Sequence, residues 1–200
     1  MSANVIWQET TVDRARRWQA LGQQGATVWF TGLPGAGKTT IASAVEARLI
    51  DAGRCAYRLD GDNIRHGMCS DLGFSKSDRE TNVGRVGEMA RLFADAGTVA
   101  LVALVSPYND CREKVRALHE RDALTFIEVF VNTPTEECAR RDPKGLYARA
   151  KNGSLSGLTG VDDPYEPPSA PEVELTPKLD VEAATAAVLA ALDERSRDSA

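Results

Sequence analysis

The sequence predicts a doubly wound α/β fold, a mostly parallel sheet with helices on both faces, and three observations lead there. Short apolar runs of strand length, ATVWFT at 26–31, TVALVALV at 98–105 and FIEVFV at 126–131, alternate with stretches of helical periodicity. That is the pattern of parallel strands buried on both faces. A glycine-rich stretch, GLPGAGKTT at 32–40, stands directly between the first of these strands and a helix. The 200 residues, 42% hydrophobic and 26% charged, suffice for one domain with a sizeable core, so 1–200 reads as a single domain.

The elements follow in order. Residues 1–25 are polar and mixed in sign, and read as an N-terminal arm with a helix around Val12 to Leu21. Ala26 to Thr31 is β-branched and aromatic, hence a buried strand. Thr40 to Asp51 carries Ile41, Val45 and Leu49 at helical spacing and ends near Gly53. Cys55 to Leu59 is a second strand, running into DGDN. Asn82 to Ala96 is a helix with Val86, Met89, Ala90 and Phe93 on one face. Thr98–Val105 and Phe126–Val131 are further strands. Residues 138–160 are rich in Arg, Lys and Gly with little apolar periodicity, the composition of a mobile lid. Residues 161–177 hold five of the nine prolines and read as an extended, ordered connection. Val181 to Leu192 forms a terminal helix.

Composition narrows the function. A net charge of −5 excludes a generic nucleic-acid binder, which needs a basic face, but not a phosphorylated small substrate. No apolar run is long enough to span a bilayer. The segment MSANVIWQETTVDRARR lacks the apolar core of a secretory signal, so a cytoplasmic location is expected. Cys55, Cys69, Cys111 and Cys138 form no CxxC pair and the two histidines complete no zinc spacing. They read as reduced thiols in or near the core.

Gly32, Leu33, Pro34, Gly35, Ala36, Gly37, Lys38 and Thr39, continuing into Thr40, match GxxxxGK[ST] at every fixed position. Glycines let the backbone curl so that its N–H groups face the β- and γ-phosphates of a nucleoside triphosphate, and the helix start adds its positive dipole end. Lys38 neutralises charge on the transferring group and Thr39 offers its hydroxyl to Mg²⁺. The fold class is therefore a P-loop NTPase fold. A guanine-specifying NKxD is absent, and TVALVALV runs into Ser106 rather than an acid. With a short chain and a basic lid, this favours a small-molecule kinase over a GTPase switch or an ATPase motor. After the second strand, Asp60 and Asp62 flank a glycine beside the phosphates. One can hold Mg²⁺ through water and the other can accept the proton of an attacking hydroxyl. The structural alternative for Asp60 is a turn that caps the next helix.

The blocks WFTGLPGAGKTT, LDGDNIRHG, DLGFSKSDRETN, SPYNDCRE, FIEVFVNTP and RDPKGLYARA, in this order, resemble the adenylylsulfate kinase family from about Trp7 to Leu192. The resemblance implies phosphorylation of the 3′-hydroxyl of adenosine 5′-phosphosulfate (APS) by MgATP, giving 3′-phosphoadenosine 5′-phosphosulfate (PAPS). It implies Asp62 as the base or orienting group and Asp60 in support of the metal shell. Arg65, Arg79 and Asn82 would hold the phosphosulfate end, and Phe74 would stack on the acceptor adenine. Val105 and Ser106 would contact substrate at a strand end. The family position of Ser106 is sometimes described as a phosphoserine, a step that direct in-line transfer does not need. Lys144 would reach the phosphates as the lid closes, with Arg140 and Arg149 as further lid candidates. A dianionic acceptor approaching a tetra-anionic donor requires cations in its pocket, and arginine grips phosphate or sulfate oxygens bidentately. The sequence departs from the family at Leu158, where phenylalanine usually completes an aromatic clamp, at Pro34 and Thr39, usually serine, and at Asn109, often basic. The alternatives are a kinase acting on another 5′-modified nucleotide, or a nucleotide-binding regulatory module. The resemblance also implies a homodimer and coupling to a separate ATP sulfurylase.

Overall fold

The computed structural model describes Ile6, Gln8 and residues 10–198; the remainder of the N-terminal arm, Trp7 included, lies outside the described residues. The elements are α1 (Arg14–Leu21), β1 (Ala26–Thr31), α2 (Lys38–Asp51), β2 (Ala56–Asp60), α3 (Gly61–Arg65), α4 (Lys76–Ala96), β3 (Val99–Ala103), α5 (Asn109–Arg121), β4 (Thr125–Val131), α6 (Thr135–Arg141), α7 (Leu146–Lys151), β5 (Val173–Leu175) and α8 (Val181–Asp198). All the strand pairs are parallel, in the order β2-β3-β1-β4-β5. Every residue of β1 and β3 is buried, as two-sided cover by helices demands.

Alternation along the strands assigns the two faces. Val28 and Phe30 of β1 pack with Ile41, Val45 and Leu49 of α2 and with Val188 and Leu192 of α8. Trp29, between them, packs on the other face with Val83, Val86 and Ala90 of α4, Val115 of α5, and Phe126. Both helical layers lie over β1, so its C-terminal end opens at the middle of the sheet, where loops from both sides converge. In open α/β sheets ligands bind at such a place.

The structure lengthens or shortens several expected elements. α4 begins six residues before Asn82, because Ser75 caps it: the Asp78 amide donates to the Ser75 hydroxyl at 3.1 Å. β3 stops at Ala103 rather than Val105. The Val105 carbonyl accepts from the Thr31 hydroxyl at 2.8 Å instead of extending the ladder, and Ser106 turns the chain away with φ +39°. The 161–177 connection ends in a real strand, β5, paired with β4 through Val129↔Val173 to Val131↔Leu175. The 138–160 segment carries the end of α6 and the whole of α7, anchored in the core by Cys138 and Tyr147. The C-terminal helix continues past Leu192 to Asp198. Among the described residues, no helix is long and apolar enough to cross a membrane.

Candidate functional site

β1 delivers the chain at Thr31 into the loop 32–40. Gly32 has φ +148°, and a Cβ there would stand 2.6 Å from the Val131 carbonyl oxygen, so only glycine lets the loop leave the sheet beside β4. Gly37, at φ +110°, closes the loop and starts α2. Groups from outside hold the loop's carbonyls. The Tyr147 hydroxyl donates to the Pro34 carbonyl at 2.9 Å. The Thr133 hydroxyl donates to the Ala36 carbonyl at 3.0 Å and Arg141 Nη1 to the same oxygen at 3.3 Å. Leu33, Pro34 and Gly35 are half-buried, while Thr39 and Thr40 are exposed at the helix start. The cradle is thus rigid in its backbone and open on its ligand side.

Lys38 lies inside this cradle, only 8% exposed, and its Nζ donates to the carbonyls of Gly32 and Leu33 at 2.8 Å each. Burial pulls its pKa from 10.5 down to about 8; Lys144 pulls the same way, and Asp60 and Asp62 partly offset the shift. Such an ammonium lacks a full counter-charge, and an anion in the loop would supply it.

Asp60 closes β2, is buried, and has three donors. The Thr39 hydroxyl donates to it at 2.9 Å, Arg58 Nη1 at 2.9 Å, and the Asp62 amide at 3.0 Å. The last bond caps α3, so the structural role considered for Asp60 is real and coexists with its position against Thr39. Asp62, in the first turn of α3, is exposed and forms an ion pair with Lys144, from the turn between α6 and α7. Both side chains are more than half exposed, so the pair contributes at most about 1 kcal/mol and opens readily.

On the other side of Asp62, Arg65 and Arg79 share one aromatic ring. Their guanidinium carbons lie 4.4 and 5.6 Å from the Phe74 ring centroid, and Phe74 is 65% exposed. Arg65 Nη1 donates to the carbonyls of Leu72 and Gly73 at 3.2 and 2.9 Å. Arg79 donates to the Phe74 carbonyl at 3.0 Å and to the Gly157 carbonyl at 2.7 Å, which ties α4 to the end of the 138–160 segment. Burial lowers the Arg65 pKa, and repulsion from Arg79 lowers it further. Two cations held this close favour a dianion between them. Asn82, one turn beyond Arg79, is 4% exposed and its Oδ1 has no hydrogen-bond partner. An unsatisfied buried oxygen costs about 1–3 kcal/mol, which a ligand donor would recover.

The remaining expected residues are placed differently. Val105 is half-buried at the strand end. Ser106 is 3% exposed, and its hydroxyl accepts from Trp29 Nε1 at 3.0 Å, within the α4-side core. Leu158 is buried in the α2-side cluster that also holds Ala36, and its amide donates to Asp162 at 2.7 Å. Arg140 pairs with Glu137 and is exposed; its neighbour Arg141 shares Glu137 and also reaches the Ala36 carbonyl. Arg149 is exposed on α7. Because Leu158 is packed, Leu158→Phe inserts volume into a filled space. The expected result is a stability loss of about 1–3 kcal/mol in chemical denaturation, where an open clamp position would show none.

The sequence alone did not single out Thr133, Arg141 and Tyr147, which bond the loop's carbonyls, Asp163, which lies 3.5 Å from Arg79, or Tyr165, which bonds to the Thr31 hydroxyl at 3.0 Å. Tyr147 stands in RDPKGLYARA and Tyr165 in DPYEPP; an aromatic residue among charged or proline residues was the one available signal.

Comparisons with known proteins agree on one family. A family model described as adenylylsulphate kinase matches residues 24–176. The adenylyl-sulfate kinase of Clostridium kluyveri is 49% identical over 179 residues, 90% of this chain and 88% of that one. That of Geotalea uraniireducens is 47% identical over 196 residues, 98% and 93% of the two chains. Among solved structures, the Mycobacterium tuberculosis APS kinase CysC in complex with AMPPNP and APS superposes with a TM-score of 0.84. It is 45% identical, covering 86% of this chain and 99% of that chain.

Proposed function

The chain belongs to the adenylylsulphate kinase family, and on that premise we propose that it transfers the γ-phosphoryl group of ATP to the 3′-hydroxyl of APS, giving PAPS and ADP. One observation carries the reading: Asp62 stands in the first turn of the short helix α3 beside Asp60, its amide on the carboxylate that also holds the Thr39 hydroxyl, its side chain paired with Lys144, and Arg65 one turn further on. A carboxylate between a phosphate-binding loop and a pair of cations is where a proton acceptor for the attacking hydroxyl belongs. The 3′-oxygen attacks the γ-phosphorus, its proton passes to Asp62, and the bond to the β-phosphate oxygen breaks. Lys38 and the loop's free backbone N–H groups, such as those of Gly35, Gly37 and Thr39, offset the charge on the polyphosphate. Arg65 and Arg79 take the phosphosulfate end with Asn82 beside them, and Phe74 offers its exposed ring to the adenine. Val105, Ser106 and Leu158 shape the pocket from behind. Lys144 leaves Asp62 for the polyphosphate, which unmasks the base only once the donor is present.

The Thr39 hydroxyl and the Asp60 carboxylate, 2.9 Å apart, suit Mg²⁺, which takes one or two protein oxygens and completes its shell with phosphate and water. When bound it neutralises charge on the β- and γ-phosphates. In this reading residues 1–200 are one domain with 138–160 as its lid. The protein is a cytoplasmic homodimer that works with ATP sulfurylase, and its net charge of −5 supports a small nucleotide acceptor over a nucleic acid.

The test of the acceptor group compares APS with its 3′-deoxy analogue. Both should bind, and only APS should receive phosphate. Equal transfer to the analogue would move the reaction to another hydroxyl, and transfer only to other 5′-modified nucleotides would replace APS as the acceptor.

Lys38 also makes donor binding pH-dependent. In the free protein it loses its proton as pH rises through about 8, whereas bound phosphates favour the charged form. ATP binding above pH 8 should therefore take up a proton, and affinity should fall by up to roughly tenfold per pH unit. Calorimetry in two buffers of different ionisation enthalpy measures the uptake; in Lys38→Met it should vanish.

A further inference from the structure

Among the described residues, the most completely bonded buried charge lies outside the reacting groups. Arg112, on α5, is 2% exposed. Its Nε donates to Glu128 Oε1 of β4 at 2.7 Å, Nη1 to the Ser106 carbonyl at 2.6 Å, and Nη2 to the Glu166 carbonyl at 2.7 Å and to Asn109 Oδ1. Glu128, 4% exposed, would balance its charge as a neutral aliphatic pair would not need to. A buried ion pair is weak evidence for stability alone, so its other bonds bear on what it does.

Those bonds join two segments that never meet in sequence. The first is the loop after β3, where Ser106 is held at φ +39°. The second is 163–166. Further bonds sew the two together: the Glu166 amide donates to the Pro107 carbonyl at 2.8 Å, the Asn109 amide to Glu166 Oε2 at 2.7 Å, and the Tyr108 hydroxyl to Asp163 at 3.4 Å. Asp163 in turn lies 3.5 Å from Arg79. A path of direct contacts thus runs from Arg112 through the 163–166 segment to one of the two cations of the acceptor pocket, and a second runs to the strand end at Val105 and Ser106.

We propose that Arg112, with Glu128 as its buried counter-charge, is a positioning residue for the acceptor: it locks the 105–109 loop to the 163–166 segment and so sets Arg79. It touches no reacting group and lies on the α4–α5 face of the sheet, opposite α2. Its link to the cradle is indirect: the Ser106 carbonyl that it holds lies 3.5 Å from the Thr31 hydroxyl, which also bonds to Tyr165 at 3.0 Å. Its loss is therefore expected to disturb acceptor binding more than donor binding. The inference rests on the function proposed above.

Two variants test it. Arg112→Lys keeps a cation opposite Glu128 but cannot span three segments with one planar fork. The double variant Arg112→Met, Glu128→Gln removes both charges together, so neither is left buried alone. In each, the expected KM for APS rises roughly ten- to a hundredfold, the scale of a small misplacement, while the ATP dissociation constant stays within about threefold. An unchanged KM for APS in either folded variant would overturn the proposal, as would an equal loss for ATP and APS. Failure of both variants to fold would overturn it too, making Arg112 a folding element. Wild-type protein assayed in parallel separates the two readings. Without APS-dependent ADP release it sinks the proposed function and this inference with it; an active wild type with unaltered variants sinks this inference alone.

Discussion

Asp62→Ala is expected to lower kcat by roughly 10²- to 10⁴-fold, the contribution of a positioned general base, while ATP still binds. Among the described residues its side chain pairs with Lys144, and both partners are largely exposed. Removing it therefore costs little stability and releases Lys144 for the donor phosphates. Single-turnover transfer from ATP, with nucleotide binding measured separately, checks both halves. A kcat within tenfold of wild type would show that the hydroxyl's proton goes elsewhere and that Asp62 serves only as an anchor for the lid.

Lys38→Met should cost roughly 10²- to 10³-fold in kcat, the scale seen when one preorganised donor to a developing charge is lost. The same change should leave thermal stability unchanged or higher. Lys38 is a desolvated ammonium whose pKa falls to about 8 because the fold disfavours its charge, and methionine fills nearly the same volume without that charge. The stability–activity trade-off expected of a functional cation would appear as opposite signs in the melting temperature and in kcat. A large drop in melting temperature would mean that its two bonds to the Gly32 and Leu33 carbonyls hold the loop together, a structural role that the sequence motif does not suggest.

Legibility in the sequence followed how local each signal was. β1 starts and ends as expected because ATVWFT is buried on both faces and the glycine loop punctuates it. The cradle was readable because its parts are contiguous, and the Asp60–Asp62 pair because it sits at a strand end. α5 was not visible: the buried side chains of NDCREKVRALHER are Cys111, Arg112, Val115 and His119, so its inward face shows only one aliphatic residue. α6 and α7, with 7 and 6 residues, are too short to show a period. β5 hides among prolines because an edge strand of three residues is too short to show a pattern of its own. At the site, sequence placed Phe74, Arg79 and Asn82 on one stretch. It could not show that Leu158 packs into the core or that the Ser106 hydroxyl serves Trp29, since both depend on chain segments brought together by the fold. Arg112 and Glu166, 54 positions apart, belong to the same class of tertiary fact.

The most direct test of the account mixes the purified protein with MgATP, with and without APS, and follows ADP and PAPS together. ADP release that depends on APS is expected, with one PAPS formed for each ADP. ADP release that proceeds equally without APS, and yields no PAPS, would contradict it.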